Sequence, residues 1–213
     1  MFSQLLSVGA VPEDWKKTII TPVFKKGSAG DVTNNRPISL TCVACKIMER
    51  IIARHIYDHL IECDLLSNMH HGFVRKRSTC TNLLASVNDW TTSVQNKKSV
   101  TIAYIDFIRA FDSVSHDKLF AHLYSYGIRA NVLKWLINFF CNRTHQTRVG
   151  QYLSAVAKLQ SGVVQGNGVG PVIFLIYIDE LAKLLKSHGI TAKLFADDVK
   201  VYVEIVNTVD ACK

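Results

Sequence analysis

The sequence predicts an α+β fold, an antiparallel sheet on one side and helices on the other. Three observations carry that prediction. The composition, 48% hydrophobic, 20% charged and 9% aromatic over 213 residues, is that of a globular chain long enough to bury a core. From Ser99 the patterns run strand, two helices, two strands, helix, two strands, which is not a repeated βαβ unit. The last two strands alternate around Asp197-Asp198, as a hairpin buried on one face does.

Each element follows from local chemistry. A first apolar run, residues 5–11, is broken by Gly9 and lacks the basic residues that open a signal peptide. Residues 18–26 form a β segment closing on a basic pair, and residues 27–37 are dense in turn formers, predicting a loop. From Val43 the apolar residues fall in two adjacent rows, Val43, Ile47, Ile51 and Ile52, Ile56, Leu60, so a helix runs to about Ile61. A second loop, residues 67–81, carries Arg75, Lys76 and Arg77. The helix after it has Leu83, Leu84, Val87, Trp90 and Val94 on one side. Residues 100–107, rich in β-branched and aromatic side chains, read as a buried strand ending at Asp106-Phe107. Ser115 caps the next helix and Gly127 ends it; residues 132–140 are helical again. Residues 144–149 and 155–160 read as a strand pair. Pro171 opens a further helix, where its missing N–H costs nothing, and Gly189 closes it. Residues 193–196 and 199–205 are the final strands, with Asp197-Asp198 as the turn between them.

The charge balance narrows the function classes. There are 25 Lys and Arg residues against 17 Asp and Glu, giving +8, and the first hundred residues hold 13 basic and 8 acidic side chains. Such a balance favours a polyanionic partner and suits an ordinary basic enzyme equally well. Six cysteines without a regular framework point to a reducing compartment, and Cys42 and Cys45 have no second pair at a zinc-like spacing. The strongest apolar run, residues 171–178, is far shorter than the ~20 residues of a bilayer span, so a soluble chain with no membrane partner is expected.

The chemistry concentrates in three places. Asp197-Asp198 holds two like charges together between apolar strands, where burial penalises both. A divalent cation relieves that, because carboxylate oxygens are hard ligands suited to magnesium. Asp106 ends the other apolar strand, so Asp106, Asp197 and Asp198 form a candidate two-metal site for phosphoryl transfer. Taken alone, an Asp pair is more often a simple turn former. Residues 161–171 place four glycines in ten residues before a helix, a loop that lets backbone approach a flat ligand, with the Gln165 amide at its centre. Lys25, Lys26 and Arg36 offer donors to a triphosphate, although lysines are usually just solvated. The glycine spacing fits neither a dinucleotide fingerprint nor a phosphate-binding lysine loop.

Tyr104-Ile105-Asp106-Phe107, continuing to Phe111 and Val114, the Gln165-Gly166 loop leading to Gly170-Pro171, and Phe195-Ala196-Asp197-Asp198 resemble three successive polymerase motifs of reverse transcriptases. Upstream, Trp15-Lys16, Pro22 to Lys26, Arg36 to Leu40, and His71-Gly72-Phe73 with Arg75 to Thr79 resemble the fingers motifs of non-LTR (LINE-type) retrotransposon enzymes. The resemblance runs from about Trp15 to Val203. It implies a right-hand polymerase, fingers over residues 1–98 and a partial palm over 99–213, without a thumb. It implies that Asp106 and Asp197 bind two magnesium ions, or manganese in their place, with Asp198 close by and the Phe107 carbonyl as a further ligand. Phe111 takes the place of the aromatic gate against the ribonucleotide 2′-hydroxyl. Arg109 and Ala110, with Lys25, Lys26 and Arg36, would hold the triphosphate, and Gln165 and Gly166 would pack against nucleotide and template. The implied partners are an RNA template, a DNA primer and deoxynucleoside triphosphates; the oligomeric state and the compartment, nucleus or cytoplasm, stay open. Ile108, Val164, Asn167-Gly168 and Asp179-Glu180 depart from the usual pattern without removing a metal ligand. The reading is an RNA-directed DNA polymerase fragment whose activity alone is open. The alternatives are a non-catalytic nucleic-acid-binding remnant and, least favoured, a two-metal nuclease.

Overall fold

The computed structural model describes residues 1–205 except Ala29 and Gln165. It divides into two compact units, residues 1–63 with 111–173, and residues 64–110 with those from 174 onward.

The first unit opens with α1 (Phe2–Val8), which Gly9 ends in the left-handed conformation at φ 71°. Then come β1 (Lys17–Phe24), β2 (Asn35–Leu40), α2 (Val43–Glu62), α4 (His116–Ser125), α5 (Ala130–Phe140), β4 (Thr144–Val149) and the two-residue strands β5 (Tyr152–Leu153) and β6 (Ala157–Lys158). Its sheet runs β2-β1-β4-β5, with β6 also on β4. β1 pairs antiparallel with β2 and parallel with β4, so this sheet is mixed and not the wholly antiparallel one expected. β2 falls partly inside the expected loop: turn-forming Asn34, Asn35 and Pro37 hide a strand that exists because β1 supplies its hydrogen bonds.

The core of this unit is legible in α5, whose Trp135, Leu136, Phe139 and Phe140 are wholly buried. Each such side chain is worth roughly 1.5–3 kcal/mol of burial. Of the two rows on α2, Ile52, Ile56 and Leu60 are buried, while Val43, Ile47 and Ile51 are exposed. Arg143 is buried as well: its guanidinium donates to Phe139 O at 3.1 Å, and to Trp15 O and Thr18 Oγ1 at 3.2 Å, and lies over the Phe139 ring. A buried charge is tolerable only with such partners.

The second unit contains α3 (Thr79–Gln95), β3 (Ser99–Ile105), most of α6 (Gly170–Ser187), β7 (Thr191–Phe195) and β8 (Asp198–Ile205). Its antiparallel sheet has the order β3-β8-β7. α3 starts from a capping box in which Ser78 and Thr81 satisfy each other's backbone N–H. Two expectations fail here. β3 is not buried: it is an edge strand, six of whose seven residues are exposed, with Tyr104 72% accessible. The apolar stripe of α3 does not face the core either. Leu83, Leu84, Val87 and Val94 are exposed, and the helix buries Asn82, Ser86 and Ser93.

The physical reason is the surface beneath α3. Alternate residues of β8 present Lys200, Tyr202 and Glu204, and α3 answers with polar side chains along one face. Lys200 Nζ donates to Ser86 Oγ at 2.9 Å and Asn82 Oδ1 at 3.3 Å. Tyr202 donates its hydroxyl proton to Asp89, Lys193 Nζ stands 3.3 Å from the same carboxylate, and Ser93 Oγ reaches Glu204 at 2.6 Å. Burial and the Asp89 contact push the Tyr202 phenol above its ordinary range. Burial, then Lys193, lowers Lys200.

Candidate active site

The Asp-Asp hairpin turns one residue earlier than its sequence suggests. Phe195 pairs with Asp198, so Ala196 and Asp197 form the two-residue turn, and Asp198 is the first residue of β8. Ala196 takes φ 56°, in the left-handed region. On the other side, β3 pairs with β8 up to Ile105↔Val199, so Asp106 and Asp198 lie just past the last pair, on adjacent strands. Both carboxylates, with Thr79, Asn82, Tyr104, Lys193 and Lys200, line a groove of about 490 Å³.

Asp106 and Asp198 are exposed and Asp197 is half-buried. The expected burial of the pair is therefore only partial at Asp197 and absent at Asp198, beside the exposed edge strand β3. Among the described residues no three His, Cys, Asp or Glu side chains converge closely enough to cage a metal. The donor chemistry still fits a hard cation. Magnesium commonly takes only one or two protein carboxylates and completes its shell with water and substrate phosphate. Lys193 and Lys200 in the groove wall, and the polar face of α3, are participants that sequence reasoning missed. Their signal, alternation along β8 facing Asn82, Ser86 and Asp89, was hidden by the more conspicuous apolar stripe.

The remaining candidates are placed as follows. Arg109 is exposed at φ 53° and Ala110 is buried. Lys25, Lys26 and Arg36 are all exposed at one end of the β1–β2 hairpin, where Val23 pairs with Arg36 and Lys25 N donates to Asn34 O. Phe111 is half-buried and its carbonyl accepts from Val163 N at 2.8 Å. Gln165 lies outside the described residues. Gly166 takes φ 93°, and a Cβ there would come within 3.2 Å of Ser39 O. The glycines of this loop are used for close approach to the chain itself: a Cβ on Gly162 would sit 2.7 Å from Asp112 O, and Gly168 N donates to Glu49 Oε2 at 2.5 Å. Glu49 is wholly buried, and together burial and that carboxylate push the neighbouring Cys45 thiol well above its ordinary range. All five described cysteines are unpaired thiols. No described helix is long and apolar enough to cross a membrane.

The profile of the family described as "Reverse transcriptase (RNA-dependent DNA polymerase)" matches residues 23–212. Among curated relatives, the RNA-directed DNA polymerase from mobile element jockey of Drosophila melanogaster is 29% identical over 209 residues, covering 94% of this chain and 22% of that protein. The Pol polyprotein from the type-1 retrotransposable element R2 of Popillia japonica is 27% identical over 203 residues, covering 90% and 28%. The chain thus spans about a quarter of the length of these relatives. Among solved structures, Candida albicans telomerase in complex with a TWJ fragment of telomeric RNA matches with a TM-score of 0.66 at 12% identity, over 99% of this chain and 41% of that one. Apo telomerase from Candida tropicalis matches with a TM-score of 0.65, also at 12%, over 94% and 46%. At that identity the likeness is one of fold. Enzymes of this family generally use divalent metal ions, and the solved neighbours share the right-hand polymerase fold. The chain belongs to the reverse transcriptase (RNA-dependent DNA polymerase) family.

Proposed function

We propose that this chain carries the nucleotidyl-transfer centre of an RNA-directed DNA polymerase, adding deoxynucleotides to a primer 3′-end on an RNA template. The observation that carries the reading is the placement of Asp106 and Asp198 on one groove at adjacent strand ends, with Asp197 in the turn between β7 and β8. In the reaction a bond forms from the primer 3′-oxygen to the α-phosphorus and the bond to pyrophosphate breaks. Asp106, Asp197, the Phe107 carbonyl and Asp198 would hold two magnesium ions, or manganese in their place, which would supply positive charge for activating the hydroxyl and stabilising the leaving group. The chain's own residues do the positioning, which is most of catalysis in phosphoryl transfer.

The other roles follow motif position. Lys25, Lys26 and Arg36, exposed on one hairpin end, neutralise the triphosphate; Arg109 and Ala110 lend backbone; Phe111 excludes the 2′-hydroxyl; Gln165 and Gly166 contact nucleotide and template. Residues 1–98 then act as fingers and 99–213 as part of the palm. Support for a nucleic-acid template comes from the +8 charge and from the RNA held by the Candida albicans neighbour.

The test is primer extension on an RNA template with magnesium. Incorporation that Asp106→Ala and Asp197→Ala both abolish is expected; incorporation indifferent to both sinks the reading. Salt-dependent RNA binding without incorporation, unchanged by magnesium or by Asp106→Ala, would instead identify a non-catalytic binding module.

A further inference from the structure

The segment from Ser67 to Phe73 has the composition of a surface loop, yet it runs along the free edge of β7 as a strand would. His71 N donates to Leu194 O at 2.8 Å and Leu194 N donates to Met69 O at 2.9 Å, making a parallel bridge between His70 and Leu194. Gly72 then lies against the elbow of the Asp-Asp hairpin. A Cβ at Gly72 would sit 2.2 Å from Ala196 N and 2.8 Å from Phe195 C, backbone atoms that cannot move aside without moving the turn. Ala196 is the residue just before Asp197.

The far end of the segment is fastened from α6. Asp179 is wholly buried, and its Oδ1 accepts from Ser67 N at 2.9 Å and meets His70 Nε2 at 2.8 Å, with His70 only 1% exposed. Lys183 Nζ stands 3.1 Å from the second oxygen. Arg77 closes the segment from the other side by donating to Asn68 O at 2.5 Å and to His70 O. A buried histidine–carboxylate pair with a backbone donor is a rigid joint, because removing the carboxylate would leave His70 Nε2 and Ser67 N without their acceptor in a buried place.

We propose that residues 67–73 are a strap that positions the Asp197 turn, with the His70–Asp179 pair as its anchor and Gly72 as the point of contact. His70, Gly72 and Asp179 are positioning residues that never touch substrate. The proposal rests on the reading of Asp106 and Asp197 as metal ligands. It adds that their geometry is set from outside the three-stranded sheet.

The test uses the whole chain with Mn2+ as the probe, read by electron paramagnetic resonance, and amide hydrogen exchange. Because coupling is reciprocal, Mn2+ binding to the unmutated chain must slow exchange at His71 and Leu194; exchange there unchanged by Mn2+ overturns the strap without any variant. Gly72→Ala is expected to weaken Mn2+ binding roughly 10–100-fold, the range seen when a group behind a ligand is disturbed. Asp179→Asn, which keeps an acceptor for Ser67 N, is expected to retain more binding than Asp179→Leu. Asp197→Ala reports on the metal reading alone: if it binds Mn2+ as the parent does, that reading falls. A chain that loses Mn2+ through Asp197→Ala yet binds normally after Gly72→Ala and Asp179→Leu overturns the strap.

Discussion

α2 and α3 are helices of 20 and 17 residues that both carry an apolar stripe, yet they bury opposite kinds of side chain. α2 buries Met48, Ile52, Ile56 and Leu60. α3 turns Leu83, Leu84, Val87 and Val94 outward and buries Asn82, Ser86 and Ser93 over a strand bearing Lys200, Tyr202 and Glu204. A helix therefore buries the face that matches its partner, and the most apolar face wins only when the partner is apolar too. On α3 the polar contacts are satisfied pairwise, which is the condition for burying them at all.

Substitutions on the two helices sharpen this contrast, and the largest effect belongs to α2. Ile56→Ala should destabilise by about 2–5 kcal/mol through lost burial and a residual cavity, read by chemical denaturation. Lys200→Met, beneath α3, should cost about 1–3 kcal/mol although methionine is more apolar, because Asn82 and Ser86 lose their partner. A gain in stability from Lys200→Met would show that the α3 interface is simply apolar after all.

A smaller effect depends on pH. Burial, then Arg77, Lys193, Lys200 and His70, depresses the pKa of His71, which sits beside Thr81 at the start of α3. The unfolded chain takes up that proton first as pH falls below 6.5, so stability is lost between 6.5 and the lower folded value. Replacing His71 with Gln should flatten that part of the stability curve; an identical acid limb in both proteins would remove the assignment. Smallest of all, Leu84→Gln on the exposed face of α3 should change stability by no more than about 0.5 kcal/mol.

Much of this was readable in advance, for local reasons. α2, α4, α5 and α6 announce themselves by 3.6-residue periodicity, and Gly127 and Gly189, both at positive φ, mark the ends of helices, while α1 gave no such pattern. The pairing of residues 144–149 with 157–158 was likewise visible as two β-rich runs around a turn. β2 escaped because its residues favour turns when read alone and become a strand only beside β1. The edge position of β3 escaped because apolar character says that a strand wants burial, and whether another element covers it is decided elsewhere.

At the candidate site the chemistry was legible and the mechanics were not. Asp106 and Asp197-Asp198 take their meaning from the ordered set of motifs around them, which resembles the family, since an Asp pair alone is more often a turn former. The exact turn, which puts Asp198 in register on β8 and leaves Asp197 at the tip, depends on a single hydrogen-bonded pair, Phe195 with Asp198. The fastening of that turn by Gly72 and by Asp179 joins residues more than a hundred positions apart. The sequence by itself determined most of the helices, the palm strands, the acidic centre and the family, because periodicity, capping and motif order lie in the chain itself. Only the tertiary structure decided which faces are buried and what holds the hairpin, because those depend on which backbone edge and which charged surface the chain brings opposite each element.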